Sequence, residues 1–233
     1  MSHSDGQAAG EVFDPTTARE LPAHAVTRLW LLRHGEVEDF GERRVRGQLD
    51  APLSARGLEQ HAALVDWLAE GAVEPDVLLS SDLVRCRHLG EAVAARTGVA
   101  LECAPELREQ HMGVWQGRTW AEITAADPER VHAYWDNYQH TAPPEGESLL
   151  DLHARVQSWW GERAPGFADR RVVLATHVGV IRSFLCGFLG VDPAEALRFA
   201  PAVGSSTELL LSDAGAVLQT LGERPWRTGA RRP

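Results

Sequence analysis

Two histidines and two arginines stand where short apolar runs of the chain give out. The run from Arg28 ends in Arg33-His34-Gly35. Asp76-Val77-Leu78-Leu79-Ser80 leads through Ser81-Asp82 to Arg85, and Arg171-Val172-Val173-Leu174-Ala175-Thr176 ends in His177-Val178-Gly179. Taken singly, each has an ordinary explanation. A loop histidine is commonly a solvated or hydrogen-bonded residue, and Arg33 alone reads as a surface cation. Arg85 fits that explanation poorly, because a cation in the first turn of a helix opposes the helix dipole, at roughly a few tenths of a kcal/mol. It makes sense if an anion is bound there, and helix N-termini themselves favour phosphate. Together the junctions describe an anion site with two imidazoles in it.

For these residues to meet, the three runs must be parallel strands. The spacing predicts strands over 28–33, 76–80 and 171–176, with a further short one at 99–103. Helical periodicity covers 55–70, where Leu58, Leu64, Val65 and Leu68 recur. A second helix, with Asp82 as its cap, is expected to run to Thr97. The stretch 118–137 reads as helix broken near Asp127-Pro128, and Ser148 with Asp151 resembles a capping box opening a helix to Arg163. A helix from His177 to Leu189 and a hairpin around Ser212-Asp213-Ala214-Gly215 complete the pattern. Strands alternating with helices predict an α/β fold. Its three layers are αβα, a mostly parallel mixed sheet covered by helices on both faces. In such sheets ligands bind beyond the carboxyl ends of the strands. Residues 1–26 read as a flexible extension, 27–224 as one domain and 225–233 as a tail.

Composition narrows the chemistry. The 233 residues carry a formal net charge of -10, which repels nucleic acid and anionic membrane. All 23 basic residues are arginine. With no lysine there can be no P-loop lysine, no kinase strand lysine and no Schiff-base lysine. Arginine instead offers phosphate a planar two-pronged grip. Cys86, Cys103 and Cys186 are scattered and suggest neither a disulfide framework nor a zinc cluster. No apolar run approaches the ~20 residues of a membrane span, and the polar start from Ser2 to Glu20 lacks the features of a secretory signal. A cytoplasmic location is the expectation.

Arg33-His34-Gly35-Glu36 closely resembles the signature of the histidine phosphatase superfamily, which includes the phosphoglycerate mutases. The likeness continues through Arg44-Val45-Arg46-Gly47-Gln48-Leu49-Asp50 to Gly57, then Ser80-Ser81-Asp82-Leu83-Val84-Arg85. It goes on through Leu107-Arg108-Glu109 to Gly117, Pro144-Glu145-Gly146-Glu147-Ser148 and Thr176-His177-Val178-Gly179-Val180-Ile181-Arg182. The order and approximate spacing hold over 28–222. The resemblance implies a phosphoglycerate mutase-like fold and a phosphatase that needs no cofactor and no metal. His34 would be the nucleophile, since neutral imidazole is available near pH 7. Arg33, Arg85 and His177 would surround the phosphoryl oxygens. Glu109 would protonate the leaving oxygen and then take a proton from water. Arg46 and Gly47 match a phosphate-contacting pair, and Val178 a position whose N–H contacts phosphate. Glu147 lies near the family's pocket, though it reads equally as a helix-start acid.

Two departures bear on substrate. Val37 follows Arg33-His34-Gly35-Glu36 where the family often has Thr or Gln, and Phe40 stands where it often has a phosphate-binding Asn. Losing that donor weakens the grip, shifts it to Arg46, or marks a pocket for an apolar or ring-bearing substrate. Mutases of this kind carry an arginine pair for a substrate carboxylate in the segment before Ser148. Between Ala133 and Ser148 this chain has Tyr134, Trp135, Tyr138 and His140, but no arginine. The aromatics are either helix core or a substrate wall. The expected substrate is a small-molecule phosphate ester, as for α-ribazole-phosphate phosphatases. A mutase and a non-catalytic phospho-ligand binding protein are the alternatives. Eight tryptophans leave room for a homodimer interface.

Overall fold

In the computed structural model, residues 26–71 and 73–225 are described. The expected extension and tail lie outside them, apart from Val26 and Pro225. The chain runs β1 (Thr27–Arg33), α1 (Ala55–Glu70), β2 (Val77–Ser80), α2 (Val84–Thr97), β3 (Leu101–Cys103), α3 (Trp120–Ala126) and α4 (Pro128–Asp136). It continues with α5 (Leu149–Arg163), β4 (Arg171–Thr176), α6 (Val178–Leu189), β5 (Ser206–Ser212) and β6 (Gly215–Glu223). The six strands form one mixed sheet in the order β3-β2-β4-β1-β5-β6. Strands β3, β2, β4 and β1 are parallel, β5 runs antiparallel to β1, and β6 pairs antiparallel with β5 at the other edge.

Alternation along the strands builds the three layers. Successive side chains of a strand point to opposite faces. Leu29 and Leu31 therefore join Leu152, Val156, Trp160 and Phe184 of α5 and α6 on one face. Trp30 and Leu32 join Leu64, Trp67, Leu89 and Val93 of α1 and α2 on the other. Because both faces are covered, the central strands read as unbroken apolar runs. A third, smaller cluster packs Val45, Met112 and Trp115 against Ile123, Val131 and Tyr134 of α3 and α4.

Register puts the site at one edge. β1 and β4 are neighbours, with Arg33 opposite Thr176, so His34 and His177 leave the sheet side by side. β2 lies on the other side of β4, with Ser80 opposite Ala175. Ser148 and Asp151 form the expected capping box. Asp82 does not cap α2. Leu83 occupies that position without a side-chain cap, while the Asp82 carboxylate takes Arg108 Nε at 2.7 Å and Nη2 at 2.5 Å. A two-pronged charged pair outweighs a single cap bond. The third strand is shorter than 99–103, because only Leu101–Cys103 pair with β2 at the sheet edge. At the 127–128 break, the Asp127 side chain caps α4 through Arg130 N. No helix among the described residues is long and apolar enough to cross a membrane.

Candidate active site

The floor of the site is a pair of imidazoles. His34 and His177 have ring centroids 5.2 Å apart, tilted by 60°, and both are buried. His34 N donates to Thr176 O at 3.1 Å, which stitches the two strand ends together. The His34 ring nitrogen Nδ1 lies 2.7 Å from Gly35 O. A carbonyl only accepts, so Nδ1 carries the proton and Nε2 keeps its lone pair. Burial, then the Arg85 and Arg33 cations, hold His34 well below the ordinary imidazole value. His34 is therefore neutral at neutral pH, with an unprotonated Nε2. Burial and Arg85 do the same to His177, whose Nε2 meets Ser81 Oγ at 2.9 Å and Cys86 Sγ at 3.3 Å.

Guanidiniums line the wall. Arg85 is 2% exposed and makes no ion pair among the described residues. Its Nη1 and Nη2 donate to Leu49 O and Gly47 O, both at 2.7 Å. Arg33 donates through Nη1 to Pro201 O at 2.6 Å, while its buried Nε has no partner. A buried orphan donor on a cation is costly, and an anion in the cleft would relieve it. Burial lowers the Arg33 guanidinium to about 10. Arg46 Nη2 donates to Glu38 O at 2.8 Å. Gly47 sits at φ 51°, a left-handed conformation that favours glycine, and a Cβ there would also displace Gln116 Oε1, 2.3 Å away.

Glu109 is set by the start of α6. Its Oε2 accepts from Gly179 N at 3.3 Å and its Oε1 from Gln110 N at 2.9 Å. A Cβ on residue 179 would lie 2.1 Å from Oε1, so this approach requires glycine. Val178, the first residue of α6, brings one of the helix's unsatisfied N–H groups to the same place. The resulting cleft measures about 660 Å³. Arg33, His34, Phe40, Arg46, Gly47, Arg85, Glu109 and Val178 all contribute to its wall, together with Val37, Gly41, Arg43, Arg44 and Val203. His177 sits behind that wall against His34.

Glu147 stands elsewhere. Its carboxylate takes Arg155 Nε at 2.8 Å, Arg155 Nη2 at 2.9 Å and His111 N at 2.9 Å, which leaves it a structural clamp rather than a lining group. Arg155 also reaches Glu106 O and Arg108 O at 2.5 and 3.2 Å, and so steadies the segment carrying Glu109. Tyr134 is buried core and Tyr138 packs beside it, while Trp135 is exposed. None of the three lines the cleft.

Three supporting residues have no role assigned by the motifs, although Ser81 lies within one of them. Ser81 holds His177. Gln60 Oε1 accepts Glu36 N at 2.8 Å, and His61 Nε2 accepts Gly35 N at 2.8 Å. His61 falls on the same helical stripe as Leu64 and Leu68, where an apolar residue is the rule. That was the available signal.

A model of the "Histidine phosphatase superfamily (branch 1)" matches residues 29–224. The chain belongs to this superfamily. It is similar to glucosyl-3-phosphoglycerate phosphatase of Mycolicibacterium vanbaalenii, at 38% identity over 71% of this chain and 76% of the other. It is similar to adenosylcobalamin/alpha-ribazole phosphatase of Escherichia coli, at 29% identity over 84% and 96%. Among solved structures it resembles a mycobacterial glucosyl-3-phosphoglycerate phosphatase in complex with inorganic phosphate. There the TM-score is 0.73 at 31% identity, over 85% of this chain and 98% of that one. Histidine phosphatases of this kind are hydrolases of phosphate monoesters, and a phosphohistidine intermediate is general to the family.

Proposed function

We propose that residues 27–224 form one catalytic domain that hydrolyses a small-molecule phosphomonoester, with His34 as nucleophile. The observation that carries this reading is the Nδ1 bond to Gly35 O, which leaves a bare, buried Nε2 facing a cleft walled by guanidiniums. Nε2 attacks phosphorus in line. The N–P bond forms as the bond to the ester oxygen breaks. Glu109 delivers a proton to the departing alcohol. Arg33, Arg85 and the Val178 N–H hold the equatorial oxygens, where charge accumulates, while His177 backs the His34 ring from behind the wall. Arg46 and Gly47 act at the outer side of the same phosphate. Water then attacks the phosphohistidine and gives its proton to Glu109. The N–P bond breaks, releasing inorganic phosphate and a neutral His34.

The test is phosphate release from p-nitrophenyl phosphate. His34→Ala should lose roughly 10³-fold or more in kcat, because nucleophile and stabilising groups act as a unit. Rapid quench should trap a phosphoenzyme that acid destroys and base spares. Unchanged turnover in His34→Ala would sink the mechanism. Rapid isomerisation of 3-phosphoglycerate in the presence of 2,3-bisphosphoglycerate, without phosphate release, would make the protein a mutase instead.

A further inference from the structure

The cleft holds more positive charge than one phosphoryl group uses. Arg33, Arg43, Arg46 and Arg85 line it, and none makes an ion pair with a carboxylate among the described residues. Arg44 is the contrast. It also lines the cleft, but Glu42 at 2.5 Å and Glu122 at 3.5 Å neutralise it. Glu109 is the one carboxylate on the wall among the described residues. Even with Glu109 ionised, a phosphomonoester dianion leaves a cation over, and with Glu109 holding the proton it delivers the surplus is larger. This surplus sits in a chain whose formal net charge is -10, so it is concentrated here rather than general.

Arg43 is the arginine the proposed reaction leaves unused. It is exposed, and its guanidinium has neither a hydrogen bond nor an ion pair to a described residue. It stands at the end of the turn Phe40–Glu42, apart from the strand ends that serve the scissile phosphate. Asp39 and Arg43, on either side of that turn, both have φ 53°. This is a conformation that side-chain-bearing residues avoid and that tends to occur where function requires it. Glu42 N to Asp39 O at 3.0 Å and Arg43 N to Phe40 O at 3.3 Å close the turn. The turn therefore presents a guanidinium and the half-exposed Phe40 ring to the cleft together. A cleft of about 660 Å³ has room for a substrate body between this turn and His34.

We propose that the alcohol part of the substrate carries a second anionic group, carboxylate or phosphate, which Arg43 receives while Phe40 packs against the body between the two anions. This rests on the phosphatase reading and adds the substrate class to it. Guanidinium suits both anions, since its planar fork matches either geometry.

Matched substrates test it. 3-Phosphoglycerate against glycerol 3-phosphate reports a carboxylate, and fructose 1,6-bisphosphate against fructose 6-phosphate reports a second phosphate. In at least one pair the doubly anionic member should have a kcat/KM about tenfold higher. Arg43→Gln should remove that preference through KM, and Arg43→Lys should keep most of it. Both variants should hydrolyse p-nitrophenyl phosphate, which has no second anion, within about twofold of the unaltered protein. Equal kcat/KM within both pairs, or a preference that survives Arg43→Gln, overturns the inference. Failure of the unaltered protein on p-nitrophenyl phosphate and on both pairs overturns the phosphatase reading itself, and this inference with it.

Discussion

The His61 imidazole accepts the Gly35 N–H through Nε2 at 2.8 Å, and so holds the peptide next to His34 from inside helix α1. An accepting Nε2 places the proton on Nδ1, which faces Nδ1 of His88 at 3.0 Å. One tautomer of each ring satisfies both contacts. The Gly35 carbonyl in turn receives the His34 ring proton, so His61 acts on the orientation of the His34 ring through one peptide unit.

His61→Ala should therefore lower kcat by about ten- to hundredfold, since small misplacements of a reacting group are expensive, while KM changes little. Stability should fall by about 1–3 kcal/mol for the orphaned Gly35 N–H. His61→Gln, which can offer an acceptor, should recover part of kcat. Steady-state kinetics beside urea unfolding would check this. Equal losses in both variants would remove the positioning role.

Acid should destabilise the fold. Burial lowers His61 to about 3, and it lowers His34 and His177 well below 6.5. Near pH 7.5 each is neutral both folded and unfolded, so none contributes a pH dependence. Below 6.5 the unfolded chain takes up protons that the folded chain refuses, and stability falls with pH. The limit is about 1.4 kcal/mol per pH unit for each such imidazole. Melting curves from pH 7.5 to 5 should show a drop that His61→Gln reduces. The acid limb of kcat/KM, corrected for substrate ionisation, should lie below 6.5, because His34 stays unprotonated.

Gly179→Ala should displace the acid while leaving the nucleophile. The new methyl would lie 2.1 Å from Glu109 Oε1. A shift of the carboxyl by about 1 Å is worth on the order of 10²-fold in kcat. The loss should be largest for alkyl phosphates, whose leaving oxygen needs a proton, and small for p-nitrophenyl phosphate. An equal loss for both substrates would count against Glu109 as the acid.

Glu147→Gln should act on stability rather than on binding. The Arg155 pair is mostly buried, and its disruption should cost about 1–3 kcal/mol. KM for any substrate should change less than about twofold, as expected for a group off the cleft wall. Thermal denaturation and KM measured on one preparation separate the two roles.

Local order along the chain was enough to place His34, His177 and Arg85. Apolar runs that end abruptly mark buried strands, and in a parallel sheet their ends share an edge. The motif series carried Arg33, Arg46, Gly47, Glu109 and Val178 to the same cleft by resemblance. Strand order was beyond this. Nothing local says that β4 lies between β1 and β2, or that Arg33 faces Thr176. Yet that pairing sets the 5.2 Å between the imidazoles. Glu147 and His61 show the same limit from opposite sides. Both are polar residues in or beside a helix. What separates a structural clamp from a support for the peptide beside His34 is the partner across space, Arg155 in one case and Gly35 in the other. Hydrogen bonds and burial are properties of groups far apart in sequence, so only the packed tertiary structure could assign them.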